Sequence, residues 1–75
     1  MKKVKVDTNP YGDVFRIKQK TIHGTKYRLC ESTNYCGQTF YHIETICDGM
    51  HSAVGKQYFN LETALLAFDY VELFF

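Results

Sequence analysis

Seventy-five residues leave room for one hydrophobic core, and a chain of this size buries only about 60% of the surface it exposes when unfolded, so residues 1–75 read as a single domain of modest stability. Hydrophobic residues at 45% and charged residues at 23% argue against disorder, while one Pro and five Gly exclude collagen-like and low-complexity chains. A formal charge of +1 excludes a strongly polycationic or polyanionic protein.

The opening Met-Lys-Lys-Val-Lys-Val is not followed by an apolar stretch of signal-peptide length. The run Ala64–Phe68 stops at Asp69, far short of the roughly 20 residues that span a bilayer. Three cysteines (Cys30, Cys36, Cys47) are an odd number for a disulfide framework, so a cytoplasmic address with reduced, partly buried thiols is expected.

Residues 2–7 alternate polar and apolar, which predicts a strand with Val4 and Val6 inward. Thr8-Asn9-Pro10-Tyr11-Gly12-Asp13 is dense turn chemistry. Strands follow at 14–20, with Phe15 and Ile17 on one face, and at 26–31, with Tyr27 and Leu29 opposite Lys26 and Arg28. Residues 32–37 form a loop, residues 39–47 a fourth strand rich in β-branched and aromatic side chains, and residues 54–59 a fifth after the turn at Asp48-Gly49. Asn60 is a good helix N-cap with Glu62 in the first turn, and Leu61, Ala64, Leu65, Phe68, Val71 and Phe75 follow at helical spacing. The chain therefore reads as α+β, an antiparallel β-meander of four to five strands with one C-terminal α-helix packed on a sheet face.

Between the second and third strands, Ile22-His23-Gly24 suits a three-residue loop closed by Gly. That register pairs Lys20 with Lys26, Lys18 with Arg28 and Ile17 with Leu29, and places Arg16, Lys18, Lys20, Lys26 and Arg28 on one face. A two-residue loop at His23-Gly24 would set Lys20 beside Tyr27 and mix the faces. Charge is uneven along the chain. Residues 1–28 carry a balance of +6 and residues 29–75 a balance of −5. Either Glu44 and Glu31 neutralise the basic stripe, or the stripe meets an acidic protein surface or a phosphate backbone.

Zinc chemistry needs paired ligands a few residues apart, and only Cys47 and His51 have useful spacing, so no metal and no cofactor are expected. No Cys–His pair with an orienting third group stands out, and the glycines are scattered turn residues, so the chain is expected not to be an enzyme. The feature that stands out is the back of the helix. Leu66, Tyr70, Leu73 and Phe74 lie opposite the core stripe where water would want a polar face. They either curl into the fold or meet a second subunit or a target. Tyr11, Tyr35, Tyr41 and Tyr58 can add contact surface.

From Tyr41 to Phe68 the order strand, Asp48-Gly49 turn, strand, then Phe59-Asn60-Leu61-Glu62-Thr63-Ala64-Leu65-Leu66-Ala67-Phe68 resembles the three-stranded arm-type DNA-binding domains of phage integrases. Those domains read DNA with basic and aromatic side chains on the sheet, whereas here the last two strands supply Lys56 alone. As a whole the chain is similar in size and element order to the short proteins with which phages block host defence, the anti-CRISPR type among them. That resemblance implies a stoichiometric protein-binding inhibitor without a cofactor, acting on a host protein such as a CRISPR effector through an acidic surface or nucleic-acid channel. A nucleic-acid-binding domain using the basic sheet face is the alternative.

Overall fold

The structure, a computed structural model, describes residues 3–73, apart from the side chain of Glu72. Five strands form: β1 (Val4–Asn9), β2 (Gly12–Ile22), β3 (Thr25–Thr33), β4 (Thr39–Cys47) and β5 (Met50–Tyr58). Helix α1 (Leu61–Asp69) and a single 3-10 turn (Val71–Leu73) follow. The strands lie in the order β1-β2-β3-β4-β5, each antiparallel to its neighbour, and the helix packs across one face. This is the α+β meander expected from the alternation of the strands and the stripe of the helix. Some bounds move. β1 runs on to Asn9, β5 begins at Met50 rather than Val54, and Lys2 lies outside the described residues. Val4, expected inward, is exposed.

The hairpin register differs from the expected one. His23 and Gly24 have φ of 51° and 82°, and Asp48 and Gly49 have φ of 52° and 78°. Positive φ at both central positions is the signature of the type I′ turn, whose twist matches that of the strands it joins. The β2–β3 hairpin thus closes on two residues. Thr21 pairs with Lys26, Lys20 with Tyr27 and Lys18 with Leu29. A bulge resolves the mixing of faces that this register entails. The ladder shifts between Arg16 and Lys18, inserting Ile17 as an extra residue and reversing the parity of everything beyond it. The expected single basic stripe is therefore divided. Lys18 and Lys20 lie on the helix side, while Arg16, Lys26 and Arg28 lie on the other.

The helix begins as its sequence predicts, with the Asn60 side-chain oxygen accepting from the Thr63 N–H at 3.1 Å. Ala64, Phe68 and Val71 are buried against Tyr27, Leu29 and Ile43, with Ile17, Ile22, Tyr41, Val54, Tyr58 and Leu65 packed around them. Phe75, assigned to the same stripe, lies outside the described residues. α1 carries no basic residue in its last turn, and β2 supplies the cations instead. Lys20 Nζ donates to the carbonyl oxygens of Phe68 at 2.7 Å and Asp69 at 3.3 Å, and sits 4.8 Å from the centre of the Phe68 ring. Lys18 Nζ is 3.7 Å from the Asp69 carboxylate. Positive charge here meets the negative end of the helix dipole, which is why two lysines are tolerated on the core-facing side of a strand.

Candidate functional site

On the face away from the helix, side chains from all five strands line a groove of about 460 Å³, among them Val6, Val14, Arg28, Phe40, His42, Glu44 and His51. Its floor follows from the β3–β4 register, which sets Cys30 across from His42 and Arg28 across from Glu44. His42 and Glu44 are two apart on β4 and so share a face. Across this ladder β5 bulges away. Tyr41 pairs with Tyr58 and Ile43 with Val54, so three residues of β5 span the place of His42 alone.

Arg28 donates from Nε to Glu44 Oε1 at 2.7 Å and again from a terminal guanidinium nitrogen to the same oxygen. Each side chain keeps only 18% of its exposure. This is the neutralisation of Arg28 by Glu44 that the sequence allowed. Glu31 answers Lys3 at 3.0 Å rather than the stripe. Cys30 is fully buried beside the pair. Burial above all, then the Glu44 carboxylate, pushes this thiol up to about 12, while the Arg28 guanidinium pulls the other way. His42 is lowered from its ordinary value, chiefly by burial, with Glu44 opposing and Arg28 assisting. Its Nδ1 is shut from solvent with no hydrogen-bond partner, and its ring lies 5.7 Å from that of Phe40. Cys30 Sγ, a His42 ring nitrogen and a Glu44 carboxylate oxygen lie within 4.8 Å of one another.

The constellation differs from the one the spacing suggested. Cys47 pairs with Met50 and His51 with Ile46, so Cys47 and His51 fall on opposite faces of the sheet and cannot share an ion. The cysteines also divide. Cys36 and Cys47 are exposed, contrary to the partly buried state expected of all three, and Cys30 alone is buried. A thiol-reactive probe at neutral pH is accordingly expected to modify Cys36 and Cys47 rapidly. Cys30 should react at least about a thousandfold more slowly, since a shift from 9.0 to about 12 removes its thiolate and burial removes access. Time-resolved mass spectrometry with and without denaturant reads this. Equal native rates at all three sites would place Cys30 at the surface.

The basic residues assigned to one stripe are not brought together. Arg16 bonds to Gln19 at 3.1 Å, Lys26 is exposed, Arg28 is held by Glu44, and Lys18 and Lys20 serve the helix end. The helix back is only partly as expected: α1 ends at Asp69, so Leu66 lies on the helix, while Tyr70 is its C-cap and Leu73 belongs to the 3-10 turn that follows. Leu66, Tyr70 and Leu73 keep 59%, 50% and 72% of their exposure, and Phe74 lies outside the described residues. Of the tyrosines, Tyr41 and Tyr58 pack against the core, while Tyr11 and Tyr35 are exposed beside a second depression of about 360 Å³ with Asn9, Asn34 and Gln57.

Among the described residues no helix is long and apolar enough to cross a membrane. No protein-family model matches the chain, and no curated protein or solved structure matches it either.

Proposed function

We propose that the chain is a small non-enzymatic protein-binding module, a stoichiometric inhibitor of the kind that phages and mobile elements direct against a host defence protein such as a CRISPR effector in the host cytoplasm. The observation that carries this reading is the exposure of three large apolar side chains at the C-terminal end of the described chain, Leu66 on α1, Tyr70 at its C-cap and Leu73 in the turn that follows. Fully burying side chains of this size is worth about 1.5–3 kcal/mol each, a strong incentive to find a partner. The reading also draws support from Cys30, whose protonated and inaccessible thiol is a poor nucleophile. The nucleic-acid alternative loses ground because the cations it needs are divided between two faces and four of them are engaged within the fold.

The test is affinity capture from bacterial lysate with and without nuclease, using the parent chain and a Tyr70→Glu/Leu73→Glu variant whose fold is checked by circular dichroism. A protein partner that survives nuclease on the parent and falls at least about tenfold on the variant is the expected result. Loss of all partners with nuclease, together with binding that weakens steeply between about 50 and 200 mM salt, would instead favour nucleic acid. A second copy of the chain is the simplest other occupant of the patch. Sedimentation of the parent as a dimer and of the variant as a monomer identifies it.

A further inference from the structure

We propose that Cys30 Sγ, a His42 ring nitrogen and a Glu44 carboxylate oxygen form a binding site for a borderline-soft divalent ion such as Zn²⁺, with a fourth position open to the groove that His51 lines. Three observations converge on it. The donor atoms already lie within 4.8 Å of one another, and they are the sulfur, nitrogen and oxygen types that zinc takes. They stand on the paired central strands β3 and β4, so their spacing is fixed by a hydrogen-bonded ladder and not by a loop. His42 Nδ1 is also shut from solvent without a partner, an arrangement that is costly for an imidazole with nothing to bind.

Arg28 does not block the site. Both of its bonds go to Glu44 Oε1, which leaves Oε2 for an ion, and a carboxylate held from behind by a cation is a common way of orienting a ligand. His42 and Glu44 line the groove, and Cys30 lies buried behind them on β3. His51 lies on the same face, because its partner Ile46 is two residues from Glu44, and it is the imidazole the groove offers to the fourth position. On loading, the ion displaces the Cys30 proton, which leaves to solvent, and the thiolate sulfur becomes a ligand.

The experiment uses the full chain with Cys36→Ser/Cys47→Ser, which removes the exposed thiols as competing ligands. Titration with Co²⁺ is expected to give a one-to-one sulfur-to-cobalt charge-transfer band that Zn²⁺ abolishes by displacement. Cys30→Ser should lose the band. His42→Gln and Glu44→Gln should weaken binding at least about tenfold, since even outer partners of a ligand are worth about 10–100-fold. X-ray absorption of the Zn²⁺-loaded protein should show one sulfur at about 2.3 Å with nitrogen and oxygen at about 2.0–2.2 Å. This last measurement needs no substitution at the site, so it decides even if Cys30→Ser does not fold. Absence of the band at millimolar Co²⁺, its persistence in Cys30→Ser, or a zinc shell without sulfur overturns the proposal.

Discussion

Leu29→Ala is expected to leave most of the chain unfolded at 37 °C. Leu29 has no exposed surface and sits on β3, the middle strand of five, with Ile43 across from it on β4 and the β2 bulge on its other side. Ala64, Phe68 and Val71 close over the same cluster. Losing a fully buried leucine costs about 2–5 kcal/mol. A single core in a chain this short rarely supplies more than about 3–5 kcal/mol in all, so one substitution consumes most of it. Leu29→Met keeps the volume and should cost less than about 1.5 kcal/mol. Urea denaturation followed by circular dichroism reads both. An alanine variant within about 1 kcal/mol of the parent would show that the centre of the core lies elsewhere.

The second large effect concerns Arg28 and Glu44. Removing either partner leaves the other charge in a site four-fifths closed to water, beside the rings of Phe40 and His42. Breaking a fully buried pair costs about 3–5 kcal/mol; with the remaining exposure allowing some solvation, Arg28→Leu or Glu44→Leu should each cost about 2 kcal/mol. The double variant should recover most of that loss, because the desolvated charges disappear together. A double-mutant cycle in urea, run with a chelator so that no ion replaces the guanidinium, measures the coupling. Additive losses would mean that the pair is screened as an ordinary surface contact is.

Much of the fold was legible because its signals are local. Asn60 announces the helix with a side chain that reaches its own first turn, and the spacing of Ala64, Phe68 and Val71 names the face that is buried. The hairpin failed on one residue. A period-2 reading of β2 keeps Ile17 and Leu29 in register without interruption, and nothing in the string Arg16-Ile17-Lys18 marks the extra residue. Two lysines below the bulge read as a solvent face. The distant helix end that receives them has no signature within their own strand. The site was half legible. His42 and Glu44 are two apart in a predicted strand and must share a face, but Cys30 joins them only through the β3–β4 register. The turn across residues 34–38 settles that register, through Asn34 Oδ1 accepting from the Cys36 and Gln38 N–H groups.

The Lys20 contact with the helix end bears on the order in which the chain can fold. A nine-residue helix lies below the length that holds by itself in water, so α1 gains little before it docks. Its terminal carbonyls wait on an ammonium group 48 positions earlier in the chain, delivered only once β2 has formed and its bulge has turned that lysine toward the core. Helix formation is thus expected to follow assembly of the sheet. The β2–β3 and β4–β5 hairpins, each closed by two residues, are the elements whose loop closure costs least. The C-terminal segment then locks a surface already assembled, so that sheet and helix are gained and lost as one cooperative unit.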